Sequence, residues 1–269
     1  LNIDKFEVIF NSIFEPYDLI LNLEIGKKFN DIVRFSRASV KIGMPYQYIP
    51  DDIFKEHRVE HQLRILDKHS KKYNREEASP SIVGADEHDI SKKFNIPKSY
   101  IVLCPTNSHI GNKNHRGYRS WPEKNWKDLI SKVLDKTQLN ILLVGNKDEK
   151  KYFKTFYPLP NRVFDLAGLT TIPELIAIMK MSQCVVATDS GSVHVAGAAA
   201  KNVISIHGPT NHHQSAPYST KNNNVKIVSL KLPCSPCYDT DVILDCKTNR
   251  CMQELDASYV MNMIYELNL

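Results

Sequence analysis

No run of apolar residues in this 269-residue chain approaches the length of a membrane span. No repeat and no low-complexity tract interrupts it. Its opening residues carry no charged, apolar and small-residue leader pattern. A soluble, cytoplasmic chain is therefore expected. No strand-like segment runs into G-x-G-x-x-G, which argues against a dinucleotide-dependent dehydrogenase. Charge of neither sign dominates: 35 Lys and Arg against 30 Asp and Glu leave a net +5. So mild an excess suits an anionic ligand or an anionic membrane surface, and equally an ordinary solvated surface. The 42% hydrophobic content is enough to bury one or two cores.

What is present is alternation. Apolar strand-like runs at 100–103, 140–144, 162–165, 184–188, 203–207 and 226–229 are separated by helix-like stretches at 122–134, 172–179 and 192–200. This order predicts an α/β domain over residues 99–255, its parallel sheet covered on both faces. Earlier segments read as a strand (17–23), a helix (31–36), a strand (40–44) and a charged surface helix (56–72). With a polar, turn-rich linker at 74–80 and a short amphipathic helix at 86–94, they make residues 1–98 a separate region. Residues 256–269 read as a C-terminal helix.

One stretch gathers polar residues where an open α/β sheet binds ligands. Val185-Val186-Ala187-Thr188 reads as a buried strand, Asp189-Ser190-Gly191-Ser192 as a turn, and the small residues from Val193 to Ala200 as a helix. The next strand ends in His207-Gly208-Pro209-Thr210. A helix opened by Ser190, Gly191 and Ser192 points unpaired N–H groups at the crevice, which favours an anion such as phosphate. Asp189 at the strand end can accept sugar hydroxyls, or it can act as a simple N-cap. His194, one turn into the helix, is either structural or a donor to that anion.

D-S-G-S-V-H followed by small residues and then I-H-G-P-T resembles the donor-binding signature of glycosyltransferase family 9, the lipopolysaccharide heptosyltransferases. Other pieces fall in the same order. Leu103-Cys104-Pro105-Thr106-Asn107-Ser108 is similar to the family's first strand and loop of the donor domain. Tyr118-Arg119-Ser120-Trp121-Pro122 resembles its basic-x-Trp-Pro motif, with arginine where the family usually has lysine. Leu142-Leu143-Val144-Gly145 with Asp148-Glu149, and Phe164-Asp165-Leu166-Ala167-Gly168-Leu169-Thr170, resemble the next two strands and their loops.

The resemblance implies a GT-B fold, two Rossmann-like domains with the N-terminal one incomplete. Residues 1–98 would be a remnant of the acceptor-side domain plus linker, and 99–255 the nucleotide-sugar domain. It implies an inverting, metal-independent transfer of heptose from ADP-heptose to inner-core lipopolysaccharide. That acceptor lies at the cytoplasmic face of the inner membrane, where the enzyme would make peripheral contact. No cofactor is implied for catalysis, and no nucleic-acid partner.

Arg119 is expected to contact the diphosphate, and Glu149 the ribose, unless Glu149 merely offsets a helix dipole. Thr106, Asn107 and Ser108 are expected to bond phosphate or sugar, although these residue types favour turns in any case. Thr210 is expected to line the same crevice.

The family's catalytic carboxylate lies in a glycine-rich βα unit that these residues lack. About 60 further residues, at ~30 per unit, are expected upstream, and the general base with them. Asp18 and Glu24 match no family position. The activity of this truncated chain thus stands open. Its rivals are a non-catalytic nucleotide-sugar-binding remnant and a family member using another sugar or a protein acceptor.

Cys234, Cys237, Cys246 and Cys251 carry the remaining pattern: C-x2-C-x8-C-x4-C within 18 positions, similar to a Cys-rich tail seen in the family. Four thiolates at this spacing can close a tetrahedral structural site for zinc or iron, or remain free thiols. A metal-knuckle nucleic-acid binder would surround them with basic residues. Here Asp239, Asp241, Asp245 and Glu254 dilute Lys231, Lys247 and Arg250.

Overall fold

The computed structural model describes residues 3–24, 27–46, 55–67, 79–107, 117–238 and 240–269. The chain divides into two compact units, residues 1–77 and 78–269.

In the first unit, α1 (Ile3–Phe14) leads into β1 (Pro16–Asn22), α2 (Asn30–Phe35), β2 (Arg37–Gly43) and α3 (Arg58–Asp67). The strands pair in parallel, Pro16 opposite Arg37 through Asn22 opposite Gly43. The sequence pattern does not announce α1. At its end the Phe10 and Phe14 rings sit 4.5 Å apart, and both are exposed. The described part of the helix expected at 56–72 is α3 alone. Its Leu63 and Ile65 are buried, and Arg64 pairs with Glu56.

The second unit holds α4 (Glu87–Phe94), β3 (Tyr100–Cys104), α5 (Glu123–Lys136), β4 (Asn140–Leu143), α6 (Lys150–Phe153) and β5 (Val163–Asp165). It continues with α7 (Ile172–Met181), β6 (Cys184–Thr188), α8 (Gly191–Ala199), β7 (Asn202–Ile206) and α9 (His212–Ser215). It closes with β8 (Asn224–Val228), α10 (Arg250–Gln253) and α11 (Ala257–Glu266). The six strands form one parallel sheet in the order β5-β4-β3-β6-β7-β8. The order reverses direction between β3 and β6, so a crevice opens at their carboxyl ends.

The strands read as continuous apolar runs because both faces are buried. Alternate residues divide cleanly between two cores. Ile101, Leu103, Ile141, Leu143, Cys184, Val186, Ile204 and Ile206 pack with α5 and α11. Tyr100, Val102, Cys104, Leu142, Val144, Val185, Ala187 and Val203 pack with α4, α7 and α8.

The division falls after Glu77, inside the turn-rich stretch at 74–80 and ahead of residue 98, where the first region with its linker is expected to end. Residues 78–98 join the second unit because Ile90 of α4 is buried in the same core as Tyr100 and Met179. Likewise α11 is part of that unit. Its Val260, Met261 and Ile264 pack on α5, each worth about 2 kcal/mol of apolar burial.

Candidate functional site

The carboxyl ends of β3, β4, β6 and β7 carry the described donor-site residues singled out from the sequence except Arg119, which stands just before α5. Ser108 lies outside the described residues, as do 111–116 of the loop before Arg119.

The centre is the start of α8. Ser190 is its N-cap residue in extended conformation, but its side chain makes no capping bond. The Ser190 hydroxyl is buried with no hydrogen-bond partner among the described residues, and so is that of Thr188. The N-cap reading of this turn is therefore not what the structure contains. A buried hydroxyl without a partner costs about 1–3 kcal/mol, unless a ligand or water satisfies it. A Cβ built on Gly191 would meet nothing within 4 Å, so space stays open before the first-turn N–H groups. Ser192 is half-buried, and His194, a turn further on, is exposed.

Asp189, 5% exposed, is fixed by its own backbone, whose N–H donates to Ile206 O at 3.2 Å. One carboxylate oxygen lies 3.8 Å from Nη1 of Arg119. The Arg119 guanidinium stands over the Tyr238 ring at 5.2 Å, within cation–π range. Its loop is anchored on both sides. Tyr118 Oη donates to Cys246 O at 3.3 Å, and Trp121 Nε1 donates to Leu255 O at 2.7 Å. The Trp-Pro motif thus ties the arginine loop to the C-terminal tail.

At β3 and β4, Thr106 Oγ1 donates to Glu149 Oε2 at 2.6 Å, and the Asn146 N–H donates to the same oxygen at 2.9 Å. The Glu149 carboxylate is thereby held at the rim. Asn107 Nδ2 donates to Ser120 Oγ at 3.0 Å, which links β3 to the residue beside Arg119. Thr106 and Asn107 are both 3% exposed.

At β7, Thr210 meets a residue that sequence reasoning passed over. His207, 0% exposed, lies between Ser205 Oγ, 2.8 Å from Nε2, and Thr210 Oγ1, 3.1 Å from Nδ1. Burial pushes the His207 pKa down from 6.5 to about 4. The Asp189 carboxylate opposes that shift, while His212 and His194 add to it. The signal was available: Ser205 and His207 alternate with apolar residues in a strand buried on both faces, where polar side chains must pair. Tyr238 had no such signal.

For Cys234, Cys237, Cys246 and Cys251 the sequence leaves a tetrahedral metal site and free thiols both open. Among the described residues no group of three His, Cys, Asp or Glu is placed to hold a metal ion. Cys234 is exposed while Cys237 and Cys251 are buried, and the Cys251 thiol faces Asn249 Oδ1 at 3.5 Å. Burial, first, and the neighbouring thiols Cys237, Cys246 and Cys234 push the Cys251 pKa up to about 11. The tail instead buttresses the rim. A Cβ on Gly208 would lie 2.4 Å from Met252 Sδ and 3.1 Å from Cys251 Sγ, so any side chain there would have to displace the buried Met252 thioether. Ser235 Oγ donates to Gly208 O at 2.5 Å, and the Cys237 N–H donates to Pro209 O at 2.8 Å.

The family model described as glycosyltransferase family 9 (heptosyltransferase) matches residues 15–247, most of the chain. The chain belongs to glycosyltransferase family 9. Lipooligosaccharide heptosyltransferase 2 of Campylobacter jejuni serotype O:2 is 30% identical over 133 residues, 48% of this family 9 chain and 40% of the relative. The chain thus matches about two-fifths of that curated relative's length. The solved structure of E. coli ADP-heptose lps heptosyltransferase II superposes with a TM-score of 0.67 at 15% identity, covering 97% of this chain and 78% of that one. E. coli heptosyltransferase WaaC with ADP gives a TM-score of 0.63 at 20% identity, covering 99% and 79%. At such identities these likenesses show the fold: α/β units with parallel sheets, of the GT-B type.

Proposed function

We propose that the second unit binds a nucleotide diphosphate sugar across its strand ends and that the chain serves heptosyl transfer. The observation that carries this is the open, partly unsatisfied start of α8. A partnerless buried hydroxyl and free space before a helix N-terminus suit an anion, and Arg119 with Asp189 borders the same strand end. Family membership, and solved relatives named for ADP-heptose and ADP, support that donor.

In this reading the diphosphate sits before Ser190, Gly191 and Ser192, with Arg119 and His194 donating to it. Asp189 accepts hydroxyls of the sugar. Glu149, with Thr106 and Asn107 nearby, takes the ribose end, Ser108 is assigned to the same end from sequence alone, and Thr210 lines the opposite side. The sheet order supports that spread. Strands β4 and β7 stand three spacings apart, about 14 Å at ~4.8 Å each, which matches an extended nucleotide diphosphate sugar. As the glycosidic bond to phosphate breaks, negative charge grows on the diphosphate. Preorganised donors at the α8 start and Arg119 stabilise it, the largest expected contribution to the rate.

The transfer is inverting and needs no metal. The acceptor is inner-core lipopolysaccharide, reached by peripheral contact from the cytoplasm. Among the described residues no helix is long and apolar enough to cross a membrane. The acceptor hydroxyl must still lose a proton, and no described carboxylate is assigned that role. Asp18 and Glu24, both exposed in the first unit, are the first to substitute if transfer is robust.

A binding screen of ADP, UDP, GDP and CMP sugars tests the reading. Preference for the ADP form, with ADP itself competing, is expected. Equal affinity for all four, or none, overturns it.

A further inference from the structure

His207 is a fully buried imidazole whose place in the fold is more specific than packing requires. A neutral imidazole has one N–H donor and one lone pair, so two tautomers compete for Ser205 and Thr210. Burial keeps the ring neutral near pH 7. Ser205 decides between the tautomers. It is 0% exposed, and His207 is its hydroxyl's hydrogen-bond partner among the described residues. If Nε2 carried the proton, the Ser205 hydroxyl proton would be left buried without an acceptor. Orphaned buried donors are rarer and costlier than under-used acceptors. Ser205 therefore donates to Nε2, the ring proton sits on Nδ1, and Nδ1–H donates to Thr210 Oγ1.

The Thr210 hydroxyl then receives a hydrogen bond from beneath and keeps its own proton for a partner on the crevice side. Three donors run in one direction, Ser205 to His207 to Thr210 and outward, an arrangement in which each bond polarises the next. Thr210 follows β7, beside the end of β6, where Asp189 donates its N–H to Ile206 O. It is thus nearer the α8 start than the Glu149 side of the sheet.

We propose that His207 is a positioning residue that fixes Thr210 as a hydroxyl donor to a phosphate oxygen of the bound nucleotide. The proposal rests on the nucleotide-sugar reading above. Its value to binding is preorganisation: the donor is aimed before the ligand arrives, so no ordering cost falls on binding.

Ring 15N–1H spectra at pH 7 should show His207 as the Nδ1–H tautomer, and Ser205→Ala should release that preference. By calorimetry, Thr210→Val and His207→Phe should each weaken ADP by roughly three- to tenfold, the worth of one hydrogen bond. His207→Asn, with an amide donor near the Nδ1 position, should recover most of the loss. The His207→Phe/Thr210→Val pair should be no worse than Thr210→Val alone. If His207→Phe does not fold, the tautomer and Thr210→Val decide. An Nε2–H tautomer overturns the proposal. So does unchanged ADP affinity in Thr210→Val while Arg119→Ala weakens ADP. If Arg119→Ala also leaves ADP binding unchanged, the nucleotide-sugar reading itself fails, and the proposal falls with it.

Discussion

Arg119 faces Asp189 with 3.8 Å between Nη1 and Oδ2, too long for a hydrogen bond and within ion-pair range. A bidentate arginine–carboxylate pair would close to about 2.8 Å. The looser distance keeps both groups aimed without committing them to each other, while the Tyr238 ring supports the guanidinium from one side. Arg119→Ala should weaken ADP and ADP-heptose alike, because both carry the diphosphate. Arg119→Lys should restore part of the loss, since a point charge replaces the planar fork. Calorimetry on the three proteins checks this, and equal ADP affinity in all three would remove Arg119 from the site.

Gly191 separates ligand space from folding. Its built Cβ touches nothing within 4 Å, so Gly191→Ala should fold normally. It should gain up to about 1 kcal/mol from lower unfolded-state entropy. Gly191→Val places more bulk where the anion is expected. Both should bind ADP more weakly, valine far more so, with thermal midpoints at or above wild type. A valine variant that binds ADP as well as wild type would move the anion elsewhere.

The C-terminal thiols should not need a metal. With Cys251 packed against Asn249 and the Gly208 turn, its contribution is that of a small buried side chain. Exhaustive chelation should leave the thermal midpoint unchanged. Cys251→Ala should cost about 1–2 kcal/mol, in line with the loss of one packed group. A fall in midpoint on chelation, with stoichiometric zinc or iron in the untreated protein, would sink this account.

The sheet was legible because its strands are buried on both faces. Uninterrupted runs such as Tyr100–Cys104 and Cys184–Thr188 leave little choice of structure. The α8 start was legible for the same reason: polar residues between two such runs must lie at the strand ends. The cysteine spacing leaves metal and free thiols both open, because spacing along the chain says nothing about which thiols face inward. Here Gly208 draws Cys251 against its turn while Cys234 stays exposed. His207 was missed because a strand-end histidine reads as a turn residue until its parity with Ser205 is followed. Arg119 meeting Asp189 was beyond sequence altogether, since a tail residue, Tyr238, helps to set the loop.

Stability in acid should carry the signature of His207. Its folded pKa, about 4, lies below the ordinary 6.5, so between these values the unfolded chain binds the extra proton. Stability therefore rises with pH across that window. The contribution is whole above pH 6.5 and is lost as pH falls toward 4, by at most about 3 kcal/mol. Asp189, which holds the pKa up, and His194 and His212, which hold it down, share the neighbourhood and blur the limits. His207→Asn removes the titrating ring and keeps a polar partner for Thr210. Denaturant midpoints at pH 7.5, 6.5, 5.5 and 4.5 should fall less steeply in that variant than in wild type. Parallel curves would mean that His207 protonates as easily folded as unfolded, contrary to its burial between Ser205 and Thr210.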